Sequence, residues 1–319
     1  MKRNITFLFL LFAVVTTAFG QQEAQFSQNM FNNMAINPAY AGMNNSICAT
    51  LFDRMQWVGF KDPYNGNVWP KTQLLSVDGS VSPIHGGIGV TIMNDQLGLE
   101  TNTDFKLAYS YHLAAGPGTL GIGAQVGFYN EKIDFSGFHP IDSGDPLLSS
   151  SSKQGNLAAD MAFGLFYNIP NKLYFGISAT QLLQSTVKYP APLADLTLAR
   201  NYYVSAGYYY PLPSNPSLEI DPSLLIKSDL SSTQFDINAL LKYNNKFWGG
   251  LSWRPTDAVV IMIGMNVWQG LLVGYSYDIT TSAMGADHRS SGSHEIMLHY
   301  CLKVLHETHP ESYHNTRFL

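Results

Sequence analysis

The chain has 319 residues, of which 13% are charged and 13% aromatic, and its formal net charge at pH 7 is −5. The charged fraction is about half that of an ordinary soluble protein, and the negative balance argues against a surface that binds nucleic acid. No run of about eighteen apolar residues follows the first twenty positions, which excludes a helical membrane span. Few charges combined with 18 Tyr, 18 Phe and 27 Gly favour a transmembrane β-barrel.

The first twenty residues have the pattern of a secretory signal peptide. Lys2 and Arg3 form a basic start, and residues 5–15 form an apolar core too short to span a bilayer. Residues 18–20, Ala-Phe-Gly, supply the small residues of a cleavage site. We therefore expect the mature chain to begin at Gln21 and to be located in the outer membrane.

Residues 21–46 come next and have neither a helix pattern nor a strand pattern. Within them, the stretch "FNNMAINPAYAG" at 31–42 mixes turn residues with apolar ones. We predict a periplasmic docking element or a plug of the lumen, whose bends are fixed by proline and glycine. A plain, well-packed turn is the alternative. The candidate contact residues are Asn37, Pro38, Tyr40 and Gly42.

Residues 47–303 contain about fourteen segments in which apolar and polar residues alternate. Successive side chains of a strand point to opposite faces, so a barrel wall is apolar toward lipid and polar or small toward the lumen. In one segment, Phe105, Leu107 and Tyr109 alternate with polar residues such as Asp104 and Lys106. The pattern predicts an all-β, antiparallel barrel with strands that start near residues 47, 72, 86, 103, 118, 156, 172, 200, 217, 233, 247, 258, 270 and 292.

The connections between these segments alternate in length. The predicted short ones are 82–86, 115–118, 169–172, 211–216, 244–246 and 268–270. The predicted longer ones are 55–71, 94–102, 134–155, 184–199 and 279–291, whereas 228–232 and 254–257 break the pattern. Bacterial barrels have short periplasmic turns and longer external loops, so the N-terminus is predicted to be periplasmic. A water-soluble β-sandwich would need a second sheet over the apolar face.

Six charged residues fall on the predicted lumen face. They could line a conducting channel, or they could pair across strands and hold an internal plug, because buried charges need partners. The second interpretation is favoured. The six residues are Asp221, Lys227, Asp236, Lys242, Arg254 and Asp278.

The only two cysteines, Cys48 and Cys301, lie near the start of the first strand and the end of the last. Barrel closure makes these two strands neighbours. A seam disulfide is therefore compatible with an oxidising compartment, and two unpaired small residues are the alternative.

The long connections carry aromatic residues suited to protein contacts. The first contains Trp57 and Trp69 with Phe60 and Tyr64, and the third contains Phe135, Phe138 and Leu147-Leu148. These side chains either bind partners or fold inward and cap the barrel.

Residues that would indicate catalysis or a metal site are missing from the sequence pattern. His294 and His299 in "SHEIMLH" are five residues apart and would face opposite sides of a strand. We expect no enzyme activity, no cofactor and no metal.

An ordered set of short motifs resembles the PorP/SprF family of the type IX secretion system from about residue 25 to residue 303. The tail at 304–319 is outside this resemblance. The motifs are Asn37-Pro38-Ala39-Tyr40-Ala41-Gly42, Arg54-Met55-Gln56-Trp57-Val58-Gly59, Pro70 with Thr72, Asn94-Asp95 with Gly98, Tyr109-Ser110-Tyr111, Arg200-Asn201-Tyr202, Gly274-Tyr275-Ser276-Tyr277-Asp278 and Gly292-Ser293-His294-Glu295-Ile296.

The resemblance implies an outer-membrane component of the type IX machine that acts through protein contacts. The implied partners are secreted or surface-anchored proteins with a C-terminal sorting domain, including gliding adhesins, and a periplasmic lipoprotein that binds peptidoglycan. A diffusion channel or small-molecule transporter is the alternative function, and a structural tether to peptidoglycan is a third.

Overall fold

Fourteen antiparallel strands form a closed barrel in a computed structural model, which describes residues 23–62, 64, 66–139, 153–189 and 195–303. The strands are β1 (Ser46–Met55), β2 (Lys71–Val81), β3 (Gly86–Leu97), β4 (Glu100–Ala115), β5 (Gly118–Asp134), β6 (Lys153–Ile169), β7 (Leu173–Thr180), β8 (Asn201–Tyr208), β9 (Asn215–Ser228), β10 (Thr233–Tyr243), β11 (Phe247–Arg254), β12 (Ala258–Trp268), β13 (Leu271–Thr280) and β14 (Ser293–Lys303). After an interruption at Tyr209, β8 continues as Tyr210–Leu212.

Every strand pairs with its neighbours in sequence, and the first pairs with the last. The β1–β14 register runs from Ser46 opposite Lys303 to Met55 opposite His294. Pairing of β8 with β9 closes the wall, so within the described residues no barrel strand has an unpaired edge. The predicted antiparallel barrel is confirmed, and each predicted strand start lies within three residues of the observed one.

One predicted connection is wrong. Residues 94–102 are predicted to be one of the longer connections between strand segments. Instead, β3 and β4 stay paired as far as Leu97 and Glu100 and are joined by two residues. Asp95 is retained in the strand because its carboxylate accepts a hydrogen bond from the Thr72 hydroxyl at 2.6 Å.

The two rims of the barrel differ. We call the rim with the connections 82–85, 116–117, 170–172, 213–214, 244–246 and 269–270 the short-turn end, and the opposite rim the loop end. The loop end carries two small ribbons, one formed by Lys61–Asp62 with Gly66–Asn67 and one by Thr186–Val187 with Leu196–Thr197. Short 3₁₀ turns occupy Ser82–Ile84, Phe135–Gly137 and Ala283–His288.

The outward face of the wall is apolar over its whole circumference. Long aliphatic and aromatic side chains alternate with inward residues, as the period of two requires. Such a continuous apolar belt needs a non-aqueous environment. It includes Ile47, Leu51, Leu75, Ile88, Ile92, Phe105, Leu107, Val126, Phe128, Phe163, Ile177, Ile237, Leu241, Leu251, Ile261, Ile263, Ile296 and Leu298.

Three short turns precede the barrel, namely Asn29–Phe31, the four-residue helix α1 (Asn33–Ile36) and Pro38–Tyr40. No helix in the described residues is long and apolar enough to cross a membrane. The predicted signal peptide at 1–20, Gln21, Leu147-Leu148 and the tail at 304–319 lie outside the described residues.

The two cysteines lie directly opposite each other in the β1–β14 pair. Cys48 and Cys301 have Cα atoms 4.1 Å apart, and their sulfur atoms are joined in a disulfide. The bond connects positions 253 residues apart in sequence and covalently links the two strands that close the barrel.

Replacing both Cys48 and Cys301 by serine should lower the free energy of unfolding by about 2–4 kcal/mol, the usual contribution of a disulfide that closes a long loop. Urea unfolding of the detergent-solubilised protein measures this difference. The reduced parent should behave like the double variant. Equal stability of the oxidised and reduced parent would contradict the expected role of the bond.

Candidate functional site

The lumen contains the chain that precedes β1, residues 23–45, which we call the N-terminal segment. At the loop-end half, the Glu23 carboxylate accepts hydrogen bonds from Tyr203 at 2.8 Å and Thr180 at 2.9 Å. At the short-turn end, the Gly42 backbone N–H donates to the Asp78 carboxylate at 2.8 Å. The segment thus runs along the barrel interior from the loop-end half to the start of β1.

Local sequence explains the sharp bends of this segment. Asn37 caps the turn that follows, because its side-chain oxygen accepts the Ala39 N–H at 3.0 Å, and Pro38 occupies the first position of that turn. Gly42 has a φ of 71°, a conformation that glycine adopts without steric cost. The Asn37 amide also donates to the carbonyls of Leu165 and Ile177, at 3.0 and 3.2 Å, and thereby attaches the bend to β6 and β7.

Tyr40 and its neighbours make the segment pack closely against the wall. The Tyr40 ring lies edge-on to Phe166, with centroids 5.2 Å apart, and its hydroxyl accepts a hydrogen bond from Asn44. Burial, reinforced by the Asp78 carboxylate, raises the pKa of Tyr40 above its ordinary value. The phenol therefore remains neutral inside the barrel.

Several inward glycines of the wall lie directly under the N-terminal segment. A Cβ atom at Gly123 would collide with the backbone of Pro38 and Ala39, and one at Gly164 with the Asn37 side chain. The absence of side chains at these wall positions makes room for the segment. Further glycines of this kind are Gly87, Gly89, Gly121 and Gly274.

An apolar core fills the space between the segment and the wall. Phe26 packs against Phe52 with ring centroids 5.2 Å apart, and Phe31 packs against Trp248 at 5.1 Å. The core of this barrel therefore lies inside the lumen, where a water-filled pore would have polar walls. Its buried members are Phe26, Phe52, Leu74, Leu240, Trp248, Val260, Met262 and Met297.

A charged cluster joins the segment to the strands near the closure of the barrel. The Arg54 guanidinium lies 2.8 Å from Asp278 and 3.2 Å from Glu295, and all three side chains are at most 2% exposed. Ser27 belongs to the same cluster, because its N–H donates to Glu295 at 2.8 Å and its hydroxyl donates to Asp278. Three distant parts of the chain are thereby fixed at one point.

A second arginine extends this network. Arg254 contacts Asp236 at 2.8 Å, Asp257 at 2.6 Å and Asp278 at 3.5 Å. Asp236 also accepts a hydrogen bond from the Gln25 amide at 2.7 Å. The wall charges are therefore bonded both to each other and to the N-terminal segment.

The two lysines of the predicted lumen set have different partners. Lys242 contacts Asp221 at 2.5 Å and Glu219 at 3.0 Å and lies over the Tyr209 ring. Lys227 instead donates to the Glu23 carbonyl at 3.0 Å and the Gln25 side chain at 2.8 Å.

The structure places all six predicted lumen charges inside the barrel and shows each with a polar partner. Sequence reasoning missed Arg54 and Glu295 as lumen charges, although both are on the inward parity and within the family motifs. Inward parity combined with charge was the signal that could have identified these two. Lys106, which the strand alternation predicts on the lumen side, is buried beside Asp104 and Glu23 at 3.5 and 3.9 Å.

The predicted loop aromatics are distributed unevenly. Trp57 and Trp69 are half-buried, and the backbone N–H of Trp57 donates to the Ser293 hydroxyl at 3.0 Å. Tyr64 is exposed and packs on His139, with ring centroids 4.6 Å apart, which connects the first and third loops. Phe135 is buried, whereas Phe138 is exposed. Some of these side chains thus cap the barrel, and others face outward.

Three side chains of the types that can bind a metal ion lie close together where β1 pairs with β14. Cys48, His299 and Cys301 are gathered within 4.8 Å, but the two sulfurs are bonded to each other. The His299 ring contacts the Thr50 hydroxyl through Nδ1 at 2.8 Å and the Cys301 sulfur through Nε2 at 3.1 Å. His294 lies on the opposite face of β14 and contacts Tyr275 at 2.7 Å.

At the short-turn end, the segment leaves a cavity of about 800 Å³ lined in part by Phe31, Tyr209, Lys242 and Trp248. This cavity opens toward the rim from which β1 starts.

Comparison with known families gives a direct match. The family described as type IX secretion system membrane protein PorP/SprF matches residues 18–300. The chain belongs to this family. The outward apolar belt is therefore the lipid-facing surface of an outer-membrane PorP/SprF barrel.

Solved structures show a similar fold at low sequence identity. CymD, a monoaromatic hydrocarbon channel, is 10% identical, with a TM-score of 0.50 over 92% of this chain and 97% of that chain. The toluene transporter TbuX of Ralstonia pickettii is 12% identical, with a TM-score of 0.49 over 91% and 98% of the two chains. The comparison with curated proteins found no match.

Residues from the PorP/SprF motifs make contacts with one another and with the wall inside the lumen. Arg54, Asp278 and Glu295 come from three separate motifs and form a single buried cluster. The first motif supplies Asn37 and Gly42, which attach the N-terminal segment to the wall. The family motifs thus coincide with contacts that organise the lumen.

Proposed function

We propose that this PorP/SprF barrel supports the secretion or surface anchoring of proteins with a C-terminal sorting domain, among them gliding adhesins, through protein–protein contacts. The observation that carries the proposal is the attachment of the N-terminal segment throughout the lumen, from Glu23 to Gly42. A barrel filled in this way is suited to presenting surfaces at its two rims rather than to passing solutes.

The loop end provides the surface proposed for the secreted protein. Exposed aromatic side chains there, including Tyr64 and Phe138, are of the type that supplies most of the energy in protein interfaces. Tyr64 packs on His139 of the third loop, and Phe138 stacks on Phe135 within that loop, which gives this surface a defined shape.

The short-turn end is the proposed face for type IX components in the periplasm, including a peptidoglycan-binding lipoprotein. Its cavity of about 800 Å³ combines aromatic side chains with the Lys242–Glu219 pair. Aromatic side chains such as these are enriched in protein interfaces.

Purification of the full chain in mild detergent, followed by mass spectrometry, tests this proposal. We expect a sorting-domain protein and a periplasmic lipoprotein to co-purify. The variant Tyr64→Ala with Phe138→Ala should lose the secreted partner and keep the lipoprotein. Recovery of neither class would overturn the proposal, and recovery of the lipoprotein alone from the parent would favour a structural tether.

A further inference from the structure

The side chains of Cys48, His299 and Cys301 form one group on the lumen face of the β1–β14 pair. His299 and Cys301 are two residues apart on β14 and therefore point to the same side, and Cys48 lies opposite Cys301. The His299 Nε2 atom is 3.1 Å from the Cys301 sulfur. The nitrogen and the two sulfurs all lie within 4.8 Å of one another, and they are atoms of the kind that bind Zn²⁺ in proteins.

The backbone, rather than the disulfide, places these three side chains together. Ten residue pairs, from Ser46 with Lys303 to Met55 with His294, hold β1 against β14. Reduction of the disulfide would therefore leave the two thiols facing each other. In a tetrahedral zinc site, with Zn–S distances of about 2.3 Å and Zn–N distances of about 2.0 Å, the ligand atoms are about 3.5–3.8 Å apart. Rotation of the two cysteine side chains gives this separation without moving the strands.

The other nitrogen of His299 gives an independent indication of a metal site. Its Nδ1 atom is 2.8 Å from the Thr50 hydroxyl, and a histidine that binds a metal commonly uses its second nitrogen for such a hydrogen bond, which fixes the ring. When Nδ1–H donates to Thr50, the Nε2 lone pair is directed toward the sulfurs. His299 also lines a cavity of about 190 Å³. This cavity shares Tyr209 and Lys242 with the larger cavity at the short-turn end, which provides a path for the ion and for a water ligand.

We propose that the reduced chain binds Zn²⁺ through Cys48, Cys301 and His299. Thiolate and imidazole ligands favour zinc over Ca²⁺ and Mg²⁺, which prefer oxygen. Two thiolates and a neutral imidazole balance the charge of the ion, and this suits the interior of a barrel, where an unbalanced charge is costly. The inference does not depend on the proposed role in secretion.

Zinc binding and the disulfide exclude each other, and a redox reaction connects the two states. A dithiol reductant gives up two electrons and two protons and becomes a disulfide, whereas the bond between Cys48 and Cys301 breaks and both sulfurs become thiols. Binding of Zn²⁺ then releases the two thiol protons. The strands that close the barrel are thus linked covalently in the oxidised chain and through the metal in the reduced chain.

Titration of the full chain in detergent with zinc chloride, in competition with a chromophoric chelator, tests the site. The chain is first reduced with dithiothreitol and freed from the reductant without oxygen. We expect tight binding by the reduced parent and much weaker binding by the oxidised parent. His299→Ala removes a ligand and should weaken binding by more than about tenfold, since loss of a hydrogen-bond partner of a ligand alone commonly costs that much. The matched control is His294→Ala on the opposite face of β14, which should bind like the reduced parent.

Thermal unfolding separates loss of binding from misfolding. Zinc should raise the unfolding temperature of the reduced parent and of His294→Ala, and it should raise that of His299→Ala less. Without zinc, the two histidine variants should unfold at similar temperatures. The proposal is overturned if the reduced parent binds zinc no better than the oxidised parent, or if the two histidine variants bind alike. Binding at the parent's level after Cys48→Ser with Cys301→Ser would also overturn it.

Discussion

Replacing Arg54 by methionine should lower the free energy of unfolding by about 3–5 kcal/mol, the cost of leaving a buried charge without its partner. Arg54 is 1% exposed and contacts both Asp278 and Glu295. Its removal leaves two carboxylates in the interior, of which only Asp278 retains an arginine, Arg254, at 3.5 Å. Urea unfolding in detergent, followed by tryptophan fluorescence, measures the loss.

Two variants show whether burial causes this effect. Lys71→Met removes an ion pair with Asp53 on the outer face, where both side chains are about 40% exposed; it should cost at most about 1 kcal/mol. Combining Arg54→Met with Glu295→Gln should restore part of the stability, because one unpaired charge is removed. If Arg54→Met and Lys71→Met were equally mild, the cluster would not hold the segment and the wall together.

We expect the parent barrel to show no measurable conductance and a variant that lacks residues 25–40 to conduct ions. These residues supply Phe26, Phe31 and Met34, which pack between the strands, and the Asn37 contacts to β6 and β7. Without them, the inward glycines, polar residues and apolar side chains of the wall would surround an unfilled lumen that water can enter. Single-channel recordings in planar bilayers compare the parent with the variant.

A pair of point variants tests the same claim without shortening the chain. Gly123→Leu places a side chain where Pro38 and Ala39 now lie, and it should displace the segment and produce conductance. Ala124→Leu adds the same side chain on the outward face and should leave the lumen closed. If the parent itself conducted, and if neutralising Asp221 or Arg254 changed its conductance, the channel alternative would replace the proposed function.

Most of the wall could be predicted from the sequence, because strand alternation is local. A residue such as Phe105 has an outward position that depends only on its place between Asp104 and Lys106. The positions of the connections between strands were harder to predict. Asn94 and Asp95 are typical turn residues, but their strand pairing and the bond from Thr72 keep them in β3.

The arrangement of the lumen could not be predicted in the same way, because its contacts join residues far apart in the chain. Ser27 is 268 positions from Glu295 and lies in a segment without regular periodicity. Inward glycines such as Gly121 and Gly123 are typical of a narrow or plugged lumen, but nothing in the strand sequences shows which residues lie against them. Inward strand parity and the family motifs around Arg54, Asp278 and Glu295 were the sequence signals for this cluster, and neither shows that Ser27 joins it.

Quantitative surface proteomics of a strain that lacks this chain is the decisive measurement of its proposed role in secretion. We expect one or more sorting-domain proteins to disappear from the cell surface and to return when the parent chain is supplied. Arg54→Met should restore them poorly, and Lys71→Met should restore them fully. Normal surface display of every sorting-domain protein in the deletion strain would contradict the proposed role.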